Sequence, residues 1–181
     1  MFDTAVLFYL TMIVDLAKLE DSDNRFEFSI SADVLDLETE NVRLKSDIAV
    51  SCEITKNISK TDVAGTISVV VEVDCTRCLL PIEKPFAFDF EATYVPTEEL
   101  LKQNEAELEV DDLDVDVLDG DELNMREVVR EQILLNVPDQ IFCKEDCRGL
   151  CQKCGANMNL IDCSCKETEI DPRWEALKKL K

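Results

Sequence analysis

The feature that most restricts the fold is a long run of strict alternation. From Val42 the even positions read Val42, Leu44, Ser46, Ile48, Val50, Cys52 and Ile54, while the odd ones read Arg43, Lys45, Asp47, Ala49, Ser51 and Glu53. A period of two marks a strand with one buried face, because successive side chains leave opposite sides of the pleat. A second run places Val63, Ile67, Val69, Val71, Val73 and Cys75 on one face, and "NISKTD" between the two reads as a hairpin turn centred near residues 60 and 61. A third run carries Ile82, Phe86, Phe88, Phe90, Ala92 and Tyr94 at even positions, and Phe26, Phe28, Ile30 and Ala32 add an earlier strand. Long alternating strands joined in succession predict an antiparallel meander.

The alternation fades over residues 97–112, whose acidic run "NEAELEVDD" reads as a surface connection, and "DLDVDVL" after it reads as a short edge strand. "DGDELNMREVVREQILLNVP" changes to helical spacing. Leu123, Val128, Ile133 and Leu134 fall near one face, and Asp119 with Glu122 fits a capping box. Val137-Pro138 ends that helix, since a residue before proline is pushed out of the helical region. The expected fold class is α+β: an antiparallel sheet body with one main helix and a small zinc-stabilised tail. The body spans 12–140 and the cysteine-rich tail 141–181, which closes with a short helix in "DPRWEALKKLK". Trp174 and Leu177 share one face of it, and Trp174 reads as a packing anchor.

At the other end, "AVLFYLTMIV" over residues 5–14 is too short to span a bilayer, which needs about 20 apolar residues. It also lacks the positive flank of a signal peptide. Met12 reads as a natural start, so residues 1–11 are taken as an N-terminal extension. Without an export signal, the expected location is a reducing cytoplasm, with no membrane partner.

Charge narrows the partners. The 181 residues include 19 Lys+Arg and 40 Asp+Glu, a formal charge of −21. Residues 1–140 carry a net −22, and residues 141–181 a net +1. A strongly acidic body repels phosphate backbones and attracts basic proteins. The chain has no histidine, which removes Ser-His and Cys-His nucleophile pairs and imidazole proton transfer. Carboxylate pairs such as Asp114 and Asp116 read as a solvated strand face, and no small-molecule substrate is indicated.

Nine cysteines remain to be explained. Cys52 sits in the apolar phase of its strand, far along the hairpin from Cys75, and reads as a small buried hydrophobe. The other eight form four pairs: Cys75 with Cys78, Cys143 with Cys147, Cys151 with Cys154, and Cys163 with Cys165. In a reducing compartment such spacing favours metal over disulfide, and eight thiolates suit two structural Zn²⁺ ions with four ligands each. Two partitions satisfy the count. In the first, Cys151, Cys154, Cys163 and Cys165 close a local site while Cys143 and Cys147 reach back to Cys75 and Cys78. In the second, Cys143, Cys147, Cys151 and Cys154 group together and Cys75 and Cys78 meet Cys163 and Cys165. Locality favours the first. Four thiolates close the coordination sphere, so these sites are read as structural and the chain as no enzyme.

The order of "CTRCLLP", an acidic connection, "VVREQILLNVP", "CKEDCRGLCQKCGANMN", "CSC" and "DPRWEALKKL" resembles the YceD family, the large ribosomal RNA subunit accumulation proteins, in a long form that keeps the cysteine-rich tail. The resemblance covers about residues 12–181. Met158 stands where the family pattern leads one to expect leucine, a swap that conserves volume. The resemblance implies a non-enzymatic ribosome-biogenesis factor needed for 23S ribosomal RNA accumulation in large-subunit production. With the charge asymmetry, the leading expectation is that it binds a basic large-subunit ribosomal protein. The alternative is direct ribosomal RNA binding by the tail, through Arg148, Lys153, Lys166, Arg173 and Lys178.

Overall fold

The structure is a computed structural model that describes residues 12–19, 24–57, 59–98, 115–165 and 173. The expected N-terminal extension, most of the acidic connection and most of the terminal helix lie outside the described residues. The chain divides into two compact units. One comprises residues 1–73 and 83–139, and the other residues 74–82 and 140–181.

The first unit is built on the alternating segments. Its strands are β1 (Ile13–Asp15), β2 (Asn24–Ile30), β3 (Val42–Leu44), β4 (Ile48–Lys56), β5 (Thr61–Asp74), β6 (Pro81–Pro96, from residue 83 onward in this unit), β7 (Val115–Leu118) and β8 (Glu122–Asn124). They are followed by the helix α1 (Met125–Asn136). The larger sheet runs β2-β4-β5-β6-β7, with β3 also paired to β5, and β1 pairs with β8 in a separate two-stranded sheet. The even positions of β4 (Ile48, Val50, Cys52, Ile54) and the odd positions of β5 (Val63, Ile67, Val69, Val71, Val73) are buried. Each of these valines and isoleucines removed from water contributes about 1.5–3 kcal/mol to folding.

Four expectations are corrected. The run from Val42 to Ile54 is two strands, because Leu44 faces Val71 whereas Ala49 faces Ser68. Residues 45–48 therefore stand against only Val69 and Val70, a bulge of four residues against two. Ser46 Oγ accepts from Val70 N–H at 2.9 Å, replacing the carbonyl that the ladder loses there. Because the insertion adds two residues, the inward phase of the even positions survives it.

The hairpin between β4 and β5 turns two residues earlier than expected, with Lys56 opposite Thr61 and Asn57 N–H bonded to Lys60 O. Cys52 thus faces Gly65, ten positions before Cys75 in sequence, where the expected turn would have set it against Val69. A Cβ on Gly65 would lie 2.3 Å from Ser51 O and 2.7 Å from Cys52 Cα, so only glycine lets the two strands meet there.

The sheet is mixed and not purely antiparallel, since β7 pairs parallel with β6, Thr93 opposite Val115 through Pro96 opposite Leu118. A parallel return needs a connection of a dozen or more residues, and residues 97–114 supply that length.

Finally, the helix begins six residues after Asp119. Glu122–Asn124 pair with Ile13–Asp15, which holds them extended, and Asn124 is the N-cap, its side chain accepting from Arg126 N–H at 3.1 Å. Met125, Val128, Val129, Gln132 and Ile133 form the buried stripe of α1, at the i, i+3, i+4 spacing of an amphipathic helix. Leu134, expected on that face, is 36% exposed. No described helix is long and apolar enough to cross a membrane.

Candidate metal centres

The second unit brings the eight paired cysteines together as two groups of four. Cys75, Cys78, Cys143 and Cys147 have all sulfurs within 4.8 Å of one another, and so do Cys151, Cys154, Cys163 and Cys165. The geometry follows the first of the two partitions left open by spacing. Cys52 belongs to neither group; it is buried, and burial raises its thiol to about 11, which keeps it protonated.

The first cluster is assembled by two segments far apart in sequence. Cys75-Thr-Arg-Cys78 makes a tight turn in the connection from β5 to β6, with Leu79 N–H on Cys75 O and Cys75 N–H on Leu80 O, both 2.8 Å. Leu79 takes φ +57 to close it, a conformation that costs a non-glycine residue about 1 kcal/mol or more. The segment 141–150 lies along this turn. Thr76 N–H donates to Ile141 O at 2.9 Å, and Leu150 N–H donates to Arg77 O at 3.0 Å. The Arg77 guanidinium lies 4.0 Å from the centre of the Phe142 ring and donates to the carbonyls of Cys147 (3.1 Å) and Glu145 (3.3 Å). Gly149 adopts φ +72, where an added Cβ would sit 3.0 Å from Arg77 O.

Across this contact Cys75 Sγ lies 3.8 Å from Cys147 Sγ, and Cys78 Sγ lies 3.7 Å from Cys143 Sγ. A regular tetrahedron with metal–sulfur bonds of ~2.3 Å has edges of about 3.8 Å. These separations therefore fit one divalent ion at the centre. Cys75, Cys78 and Cys147 are nearly inaccessible, and Cys143 is half-buried.

The second cluster is local. Cys151 N–H bonds Ala156 O, and Gly155 N–H bonds Cys151 O, both at 2.8 Å, closing a turn that ends on Gly155 at φ +71. Cys163 and Cys165 complete the set, with Cys154 and Cys165 exposed.

In each cluster the thiols are driven apart in acidity. Burial opposes ionisation of Cys75, but N–H groups of Cys143, Arg77 and Cys78 aim at its sulfur and bring it down to about 6. Burial, with Cys147 next, pushes Cys143 up to about 12. In the second cluster the N–H groups of Cys154 and Lys153 bring Cys151 down to about 6, while the Cys154 thiol holds Cys165 up at about 12. Four sulfurs this close cannot all ionise without a cation, and a divalent ion is what would replace their shared protons.

Sequence reading missed the residues that buttress these sulfurs. Asn159 Nδ2 donates to Cys147 Sγ at 3.4 Å, and Cys143 N–H donates to Cys75 Sγ at 3.3 Å. The Asn-x-Asn of "GANMN" was the available signal, because asparagines at this spacing build local side-chain-to-backbone turns. Of the five basic tail residues, Arg148 is paired with Asp162 at 3.0 Å, and Lys153 and Arg173 are exposed. Lys166 and Lys178 lie outside the described residues.

Fold and site together define a class: a mixed-sheet protein with two four-cysteine clusters, each able to hold a metal ion. More particularly, the chain belongs to the YceD family, described as large ribosomal RNA subunit accumulation protein YceD, which it matches over residues 63–181. That span is shorter than the resemblance read from the motifs, since residues 12–62 fall outside it. The chain is similar to the uncharacterized protein YlbN of Bacillus subtilis, 32% identical over 64% of this chain and 63% of the relative. It is 28% identical to the uncharacterized protein ML1660 of Mycobacterium leprae over 64% of this chain and 50% of that protein. To the chloroplastic large ribosomal RNA subunit accumulation protein YCED homolog 1 of Zea mays it is 24% identical, over 74% of this chain and 54% of the relative. The match thus spans about half to two thirds of these relatives' lengths. No solved structure gives a significant match.

Proposed function

We propose that the chain is a non-enzymatic ribosome-biogenesis factor that supports accumulation of 23S ribosomal RNA in the cytoplasm, and that it acts by binding a basic large-subunit ribosomal protein. Each cluster holds one Zn²⁺, a redox-inert ion suited to four thiolates. Support for the role comes from the family and from the name of the Zea mays relative. The choice of partner rests on one observation: residues 1–140 carry a net −22 and residues 141–181 a net +1. Such a field accelerates encounter with a basic protein and shields its charge.

Crosslinking followed by affinity capture from growing cells tests this, with a basic large-subunit protein expected as the main adduct. Capture of ribosomal RNA alone, persisting after ribosomal proteins are stripped, would refute it and favour a second reading, in which the tail binds RNA. The exposure of Lys153, beside Cys154, and of Arg173 is what keeps that reading open. With Arg148, Lys166 and Lys178 they would give binding that weakens steeply with salt, and reversing the charges of Arg148 and Lys153 would abolish it.

A further inference from the structure

The two clusters are separate in their ligands but joined through a short stretch of chain. Residues 157–162, the loop between Cys154 and Cys163, make a succession of bonds to residues 147–150, the segment that carries Cys147 of the first cluster. Met158 N–H donates to Gly149 O at 2.9 Å, and Leu150 and Asn157 form an antiparallel bridge. Arg148 Nη1 pairs with Asp162 at 3.0 Å. At the centre is Asn159, whose Oδ1 accepts from Arg148 N–H at 2.9 Å while its Nδ2 donates both to Asn157 Oδ1 at 2.9 Å and to Cys147 Sγ at 3.4 Å. The orientation of its amide is fixed by chemistry, because the Arg148 N–H needs an oxygen and a thiolate needs a donor.

We propose that Asn159 couples the clusters: an ion held by Cys151, Cys154, Cys163 and Cys165 fixes the 157–162 loop, and that loop delivers the amide that completes the cluster of Cys75, Cys78, Cys143 and Cys147. The inference rests on both clusters being metal sites. Its physical core is that, beside the Gly149 N–H from the first cluster's own segment, Cys147 takes a side-chain donor that this segment does not supply. It is carried by a loop whose ends, Cys154 and Cys163, are both ligands of the second ion. An N–H···S bond draws charge from a metal-bound thiolate, which lowers its affinity for protons and its tendency to leave. Asn159 is thus a positioning residue for the first site, and filling of the second site precedes full tightening of the first. Since Cys154 and Cys165 are exposed while Cys75, Cys78 and Cys147 are not, solution conditions act first on the second site and reach the first through Asn159.

The test uses the full chain, reduced and freed of metal, titrated with cobalt(II), whose thiolate charge-transfer band reports the electron density on sulfur. Native mass spectrometry counts the ions. Asn159→Asp keeps the acceptor for Arg148 N–H and loses the side-chain donor to Cys147, and Asn159→Ala removes that donor without adding a charge, while the Gly149 N–H remains in both. Both are expected to move the charge-transfer band to longer wavelength, because a thiolate with one hydrogen bond fewer gives up an electron more easily. Both should also weaken one of the two ions by about 10–100-fold. Cys163→Ser with Cys165→Ser removes two ligands of the second cluster. The single ion left should show the same band shift and the same order of weakening, with no further change when Asn159→Ala is added. An unmoved band in the Asn159 variants overturns the coupling, as does a one-ion variant whose remaining site keeps wild-type affinity. A wild-type chain that binds no ion at all overturns the metal reading itself.

Discussion

Opening the first cluster is expected to cost the protein more stability than opening the second, and the margin can be worked from the chain path. Cys78 and Cys143, whose sulfurs approach to 3.7 Å, are 65 positions apart, whereas Cys154 and Cys163 are nine positions apart. A covalent or metal clip raises the free energy of the unfolded chain by restricting its loop, and the restriction grows with the logarithm of loop length. Loop-closure entropy puts the long clip at roughly 4 kcal/mol and the short one at roughly 2.5 kcal/mol at 25 °C. Cys143→Ser with Cys147→Ser removes every tail ligand from the first site, and Cys163→Ser with Cys165→Ser does the same in the second. Urea denaturation at saturating zinc, followed by circular dichroism, should show the first variant shifted to lower midpoint by about 1 M more than the second, for m values of 1–3 kcal/mol per molar. Equal shifts, or a larger one for the second variant, would refute the argument that the first cluster acts as a long-range clip.

Other expectations follow from individual side chains. Gly65→Ala forces a Cβ to within 2.3 Å of Ser51 O, so thermal denaturation should show a loss of about 1–3 kcal/mol. Shortening its neighbour with Cys52→Ala should not rescue it, because the closest clash is with backbone. Arg77→Lys loses the planar contact with Phe142 and the paired carbonyl bonds, and a loss of about 1 kcal/mol with faster removal of the first ion by a chelator is expected. Burial, then the Asp116 charge, raise the Glu131 carboxyl above its ordinary range, against the pull of Arg130. An acid that holds its proton more tightly when folded contributes stability at low pH and loses it as pH rises through its folded value. Glu131→Gln should therefore raise the melting temperature slightly at pH 7 and leave it unchanged at pH 3, as scanning calorimetry would record.

The legible parts of the fold were those governed by local period. Val50, Ile54, Val69 and Phe90 lie inward as alternation requires, and Val128 and Ile133 as helical spacing requires. What stayed hidden depends on partners remote in sequence. The bulge at 45–48 leaves the phase of the even positions intact, so no pattern of hydrophobicity records it; Ser46 in an apolar slot is its one trace. Whether β7 runs with or against β6 depends on where residues 97–114 return, which composition does not encode. Asp119 and Glu122 make a sound capping pair on paper, yet pairing of Glu122–Asn124 with β1 overrides it. At the candidate metal centres the cysteines and their pairing in sequence were readable, while their division was a matter of which turns meet, set by contacts such as Thr76 with Ile141 and Arg77 with Leu150.

The 65 positions between Cys78 and Cys143 also set a clock during synthesis. At 5–20 residues per second, the first knuckle leaves the translating ribosome roughly 3–13 s before its partners do. During that interval Cys75 and Cys78 are a nascent half-site, able to trap an ion with only two ligands or to be oxidised. The second cluster, whose four thiols emerge within 15 positions of one another, passes through the same vulnerable stage in about 1–3 s at that rate. On the proposed reading that the clusters hold zinc, its supply and the redox state at the exit tunnel should therefore govern the yield of folded protein through its earliest two cysteines.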